Sequence, residues 1–511
     1  MATSVVRLFS DRERAICRFL AQLAYGNQFL TERIELEKAI LGEAFVYPGR
    51  FMSAGADPRE THENVGLLTA LVRRIMPAIR DRYAAGAEAS DDERAFYIGA
   101  CFFLLYDRYE AELLALIDAG ARKALFFKAF RDDHRHYLGF LGPAPDVPDA
   151  AHAFAVLFQI RRAFHFIYTQ VRGGSLPVAR LRAALWNAIF GGALDAYALD
   201  GWTRMAQLST LIQGPSGTGK ELAAKAIALS GYVPFNKKTM TFAPHGDYYQ
   251  AINLSALSPA LMESELFGHR KGAFTGADRD KKGLLARVPS FGGVLLDEIA
   301  EIKLRMQVKL LRVLQERSFR PVGDEDQEIR LQARLLTATH RDPAERILAG
   351  KLREDFFRRI CMLLIVTPSL RERLDDHPDE LIELVGFLAA ELVGPRRAPR
   401  LTEEVVAWIG KHLARHPWTG NMRELLQCVA DVWVSKAYVP LRLVRVASGG
   451  SGGLDAALAE AGLPVDELVR RYAAGALARA GSLPEAARAL GVDTRRLKRI
   501  LAGGVGEVDQ G

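Results

Sequence analysis

Lys220, Asp297 and Glu298 are the residues in this sequence whose types and spacing point to a reaction. Lys220 closes the string GPSGTGK at residues 214–220, where Gly214, Gly217 and Gly219, with Pro215, Ser216 and Thr218 between them, let backbone N–H groups turn inward around phosphate oxygens. The lysine then reaches the outer phosphates of a nucleotide. Asp297 and Glu298 end the run GVLLDE at residues 293–298. Paired carboxylates at a strand end suit phosphoryl transfer to water: Asp297 holds Mg²⁺, through water, and Glu298 polarises the attacking water. A P-loop lysine is generally followed by Ser or Thr, whose hydroxyl helps hold the metal. Glu221 stands here instead, so the metal must rely on phosphates, water and the second carboxylate. A glycine-rich surface turn is the plain alternative for residues 214–220.

These groups need a phosphate-binding α/β sheet, whose strand ends face the glycine-rich loop. An apolar run at 208–212 and a helix-like run at 221–229 flank the loop, and further strands are expected at 250–254, 293–298 and 334–338, the last ending in Thr339 and His340. The segment LREDFFRRI, 352–360, places Arg353 and Arg359 on a helix with too many cations for a buried face unless they meet phosphate or carboxylate. In HPWTGNMREL, 416–425, Arg423 starts a helix of a small lid and can reach back toward a nucleotide. The string ESELFGHRKGAFTGAD, 263–278, carries Phe274 and Thr275 among glycines and alanines. A mobile loop of that composition exposes its aromatic at a cost unless a partner covers it, and a buried loop aromatic is the plain alternative. The polar segment 236–249 reads as a surface insertion.

Around this core the chain is organised as several domains, since 511 residues exceed one ordinary hydrophobic core. Residues 1–178 read as a string of amphipathic helices, with His134, Arg135 and His136 expected in a solvated polar turn, and 181–198 as a helix buttressing the nucleotide domain. A flexible linker, ASGGSGG, occupies 447–453. Beyond it, within 454–511, two short helices meet at Gly491, and the second carries Thr494, Arg495, Arg496, Lys498 and Arg499, the pattern of a helix-turn-helix reading double-stranded DNA. The net charge of +7 permits such a polyanionic partner without requiring it. Four cysteines without metal or redox spacing fit a reducing compartment. The first residues lack a signal-peptide core, and the apolar run 95–106 is too short to span a bilayer, so a cytoplasmic protein without a membrane partner is expected.

Residues 186–438 resemble the AAA+ domain of bacterial sigma-54-dependent transcription activators. GPSGTGKE, ESELFGH, GAFTGA, LLDE, REDFFRR, LRER and the W-x-GN-x-REL pattern occur in family order. The C-terminal segment looks like the Fis-type helix-turn-helix of these activators. The resemblance implies three parts: an all-α N-terminal domain of unknown signal, an α/β P-loop ATPase with a helical lid, and an all-α DNA-binding domain. It implies ATP and Mg²⁺ as ligands, with Lys220 on phosphate, Asp297 on the metal, Glu298 on water and Asn253 as the switch that holds Glu298. Arg353 and Arg359 match arginine fingers acting on a neighbouring subunit, Arg423 the lid sensor, and Phe274 and Thr275 the contact with sigma-54. A homo-oligomeric ring, in this family usually a hexamer, and sigma-54 RNA polymerase as target follow from it. Two positions depart from the pattern: His340 replaces the usual Asn, and Thr419 replaces the Pro before Gly420. A nucleotide-switched DNA-binding repressor or scaffold, and an AAA+ chaperone, are the rival readings. The GAFTGA loop speaks against both, and the helix-turn-helix against the chaperone.

Overall fold

Short apolar runs rich in Leu, Ile and Val assemble into the central sheet of the protein, seen in a computed structural model. The described residues are 7–29, 32–47, 63–142, 144–192, 194–205, 207–244, 248–324, 326–440 and 465–502, so the linker expected at 447–453 lies outside them. The strands are β1 (Thr210–Gln213), β2 (Tyr249–Asn253), β3 (Gly293–Asp297), β4 (Arg334–Thr339) and β5 (Leu363–Val366), all parallel in the order β5-β1-β4-β3-β2. β4 is buried along its whole length and β3 nearly so, which is why they read as continuous apolar runs rather than alternating ones. The register sets Gln213 beside Thr339 and Asn253 beside Asp297, so the polar strand ends share one rim.

Residues 1–438 form one compact unit and 439–511 a second. In the first, the longer helices that precede the sheet among the described residues are α1 (Asp11–Tyr25), α2 (Glu32–Leu41), α3 (Glu63–Ala84), α4 (Asp91–Asp118), α5 (Phe127–Leu138), α6 (Ala150–Gln170) and α7 (Leu176–Phe190). Capping boxes start α1 (Ser10 with Glu13) and α4 (Ser90 with Glu93), satisfying N–H groups that a helix leaves unpaired. α6 is buried on both sides. Phe154 and Phe158 belong to the core of the N-terminal helices, whereas Ala163 and Ile167 share a core with α7, the sheet and α8 (Lys220–Leu229), the helix after the glycine-rich loop.

Two expectations are corrected here. The polar segment after α8 is no simple surface insertion. Its first part is a hairpin, Phe235–Asn236 paired with Thr241–Phe242, whose tip is polar but whose flanking aromatics enter the N-terminal core. Phe242 is fully buried with its ring 4.0 Å from that of Phe158, and Phe235 lies 4.6 Å from Phe127. Backbone bonds from Ala124 N to Met240 O (2.9 Å) and from Phe242 N to Arg122 O (2.8 Å) fix it. The histidine pair lies in α5 rather than in a turn, with His134 buried and Nε2 3.1 Å from Pro148 O. Among the described residues no cluster of His, Cys, Asp and Glu is arranged to hold a metal.

Between the strands lie α9 (Leu304–Glu316), which precedes β4, and α10 (Glu354–Ile360), which precedes β5; after the sheet a lid comprises α11 (Leu370–Asp376), α12 (Glu380–Val393), α13 (Ala398–His412) and α14 (Asn421–Ser435) around its own core. The chain between α6 and α7 is tied to this lid. Arg373 pairs with buried Glu380 and donates to Arg172 O (2.7 Å), and Leu176 N donates to Asp376 (2.8 Å). Gly173, at φ +124, is required, since a Cβ there would lie 1.7 Å from the Glu380 carboxylate.

The second unit contains α15 (Val465–Ala480), α16 (Leu483–Ala489) and α17 (Thr494–Leu501), packed on Ala473, Ala486, Ala487 and Leu497. Asp493 caps α17 by accepting from Arg496 N at 2.7 Å. Thr494, Arg495, Arg496, Lys498 and Arg499 are all exposed. Among the described residues no helix is long and apolar enough to cross a membrane.

Candidate functional site

The loop between β1 and α8 is shaped by backbone angles that side chains resist. Gly217 and Gly219 have φ of +79° and +89°, and a Cβ on Gly214 would sit 2.1 Å from Thr367 Oγ1. A cradle that excludes side chains, at the N-terminus of a ten-residue helix, fits phosphate oxygens. Lys220 is buried, and its Nζ donates to Gly214 O (2.9 Å) and Pro215 O (3.0 Å), folded back along the loop. Burial pulls its pKa down, while the nearby Glu298 and Asp297 carboxylates push it up. Asp297 is displaced in the opposite sense, raised by burial and then by the charge of Glu298. A partly desolvated anion beside the cradle is a fitting ligand for a hard divalent cation.

Glu298 adopts the left-handed region at φ 57°, and its N–H donates to Asp297 Oδ1 at 2.9 Å. Both of its carboxylate oxygens lie 2.7 Å from His340 Nδ1. The strand-end histidine, set on the same rim by β4, thus occupies the carboxylate. Asn253 does not hold Glu298 in this structure. Its Oδ1 accepts from Ser255 N (3.0 Å) and Ser255 Oγ (2.7 Å), capping the short helical turn that follows β2.

The lid closes on the loop from the other side. Arg423 Nη1 donates to Ser216 Oγ (2.9 Å), Asn421 Nδ2 to Ser216 O (2.9 Å), and Met422 N to Gly217 O (3.1 Å). Asn421 was not expected here, although its place in the GN pair is a signal: at φ 53° it takes a conformation that Asn tolerates well. Thr367, past the end of β5, was also missed. Its hydroxyl lies 2.6 Å from Thr218 Oγ1, so the Thr218 hydroxyl serves the loop's own architecture. Glu221 is exposed, at the first turn of α8.

Other expected site residues lie apart from this cluster. Arg353 is exposed and paired with Asp355 (2.7 Å), whereas Arg359 donates to Leu314 O (2.9 Å) at the end of α9. Among the described residues, neither donates a hydrogen bond to the glycine-rich loop. Phe274 and Thr275 are exposed at a loop tip, Phe274 resting edge-on against His269. The loop is braced below the tip: Arg270 reaches Asp324 (2.6 Å), Asp280 (2.7 Å) and Gln327 (2.8 Å), and Lys271 N donates to Asp280 (2.8 Å).

Residues 199–366 match the family model described as the sigma-54 interaction domain. The transcriptional regulatory protein ZraR of Klebsiella oxytoca is 37% identical over 331 residues, 63% of this chain and 70% of that protein. The Nif-specific regulatory protein of Azotobacter vinelandii is 40% identical over 222 residues, 43% of this chain and 38% of that protein. Across such relatives the chain spans between 38% and 71% of their lengths. A crystal structure of NtrX from Brucella abortus superposes with a TM-score of 0.38 at 24% identity, over 70% of this chain and 75% of that one, too loosely to bear on function.

Proposed function

The chain belongs to the sigma-54-dependent transcriptional regulators, and on that premise we propose that it hydrolyses ATP to remodel sigma-54 RNA polymerase and open promoters. The observation that supports this most directly is the pairing, in one compact unit, of a nucleotide cradle with an exposed, braced Phe274–Thr275 tip. ATP lies with its phosphates on the backbone of residues 214–221, Lys220 on the outer phosphates and Arg423 on the lid side. Asp297 would hold Mg²⁺ through water, and the ion would offset the charge of the phosphates. Glu298 accepts a hydrogen bond from the attacking water once its carboxylate leaves His340, and Asn253 offers an alternative resting partner. Arg353 and Arg359 complete the site of an adjoining subunit, and repeating that heterologous contact closes a ring, usually a hexamer in this family. Thr494, Arg495, Arg496, Lys498 and Arg499 bind DNA upstream of the promoter and raise the local concentration of the ring there.

Thr275→Ala removes a hydroxyl and a methyl from a tip that touches no part of the cradle, so steady-state ATP turnover is expected to survive while open-complex formation with sigma-54 polymerase is lost. Glu298→Gln is expected to bind ATP and lower turnover by about 10²–10⁴-fold. Full promoter opening by the Thr275 variant would overturn the remodelling reading and favour a nucleotide-switched repressor.

A further inference from the structure

The N-terminal helices line a cavity of about 670 Å³, open to solvent beside Asp91, Ala95 and Leu199, that no step of nucleotide chemistry uses. That volume falls within the size of pockets that take up drug-sized molecules. Its wall is built largely from Phe102, Phe103, Ile160, Phe164 and Trp186, contributed by α4, α6 and α7. Rings on several sides favour a flat, ring-bearing guest. One end is polar, where Tyr106 is hydrogen-bonded to Arg161. Three ion pairs stand at its wall: Arg33 with Glu37 (2.6 Å), Arg94 with Asp146 (2.5 Å) and Asp107 with Arg73 (2.8 Å). An ionic guest seated against these pairs would have to break one or remain uncompensated, at a cost that a neutral guest avoids.

We propose that this cavity is an effector site for an uncharged, ring-bearing small molecule with one hydrogen-bonding group, and that α6 carries its occupancy to the nucleotide loop. The same helix lines the cavity with Ile160, Arg161 and Phe164 and grips the end of α8. Gln159 Nε2 donates to Ser230 O (2.9 Å), and Arg162 Nη1 donates to Gly231 O (2.9 Å). Two turns before Gln159, His152 lies 2.6 Å from both Tyr232 Oη and Ala198 O, and Ala198 also lines the cavity. A guest that shifts α6 must therefore move the carbonyls at the far end of the helix that begins with Lys220. Its leverage is limited to the difference in its affinity for the two positions of α6.

The binding claim is independent of ATP hydrolysis, and only the coupling rests on the proposed function. The full chain is titrated with the uncharged fluorophore N-phenylnaphthylamine, with hydroxybiphenyl, biphenyl and naphthoate as competitors. Saturable binding at one fluorophore per chain is expected, displaced by hydroxybiphenyl more strongly than by naphthoate. Ala95→Trp, which adds a ring at the open side of the cavity, should weaken it by at least about tenfold. Tyr106→Phe, a milder change, should weaken competition by hydroxybiphenyl but not by biphenyl, with unchanged melting temperature. Absence of saturable binding, or binding that neither variant alters, overturns the site. Preference for naphthoate overturns the uncharged guest. Coupling is read as a several-fold change in affinity for a fluorescent ATP analogue on adding hydroxybiphenyl. An unchanged affinity, with the cavity filled, overturns the coupling and leaves the ATPase reading intact.

Discussion

His340 holds the carboxylate of Glu298, so its imidazole competes with water for that carboxylate. His340→Asn keeps a hydrogen-bonding group at the strand end but reaches less far. We expect ATP turnover to be unchanged or faster, by no more than about tenfold, the kinetic equivalent of a hydrogen bond with a net worth of about 1.4 kcal/mol. Turnover abolished with ATP affinity intact would show that the histidine does more than an amide can. At this scale the sequence was informative about groups and silent about pairings. Lys220, Asp297, Glu298 and Arg423 gather around the cradle because spacing relative to strand ends specifies them. That Glu298 rests on His340 while Asn253 caps its own turn depends on side-chain torsions that no spacing encodes. Thr367 and Asn421 were missed because their contacts with the loop cross about 150 and 205 residues of chain.

Among the elements, the Phe235–Phe242 hairpin shows why a polar stretch can mislead. Asn236, Lys237, Lys238 and Thr239 form the tip, and the two phenylalanines that anchor it are too few to register as a strand pattern. Their burial comes from aromatics on α5 and α6, far away in sequence. Phe242→Ala removes a fully buried ring and should cost about 3–5 kcal/mol. Chemical denaturation would register that loss, and a change under about 1 kcal/mol would mean the hairpin contributes little to the joint. The strands β1, β3 and β4 were legible because both of their faces are covered, which leaves near-continuous apolar runs. The exposed tip at Phe274 was legible for a different reason, since glycines at 272 and 276 take positive φ with open space around them.

For the whole molecule, the proposed ring with shared sites makes a prediction that single chains cannot meet. Arg353→Ala and Glu298→Gln are each expected to be nearly inactive as ATPases, the former by about 10³–10⁵-fold if it acts as an arginine finger. Mixed together, they should recover turnover, because some interfaces then unite an intact Glu298 with an intact Arg353. No recovery in mixed rings of confirmed composition would place both residues in one chain's site. In the second unit, neutralising any one of Arg495, Arg496, Lys498 or Arg499 that meets phosphate should reduce the salt slope of DNA binding by about one. The division of the chain at about residue 178, read from composition, does not mark a seam in packing, since α6 shares one core with α8 and the hairpin shares another with α5. That joint has an evolutionary consequence. A recombination event that exchanged residues 1–178 for a foreign sensor would leave Phe235, Phe242 and the outer face of α8 facing water. The motor therefore cannot trade its front end like a cassette. Inheritance of a new sensor would require the hairpin to be rewritten in the same lineage, and chimaeras joined at 178 should stay soluble only when Phe235 and Phe242 are replaced by polar residues.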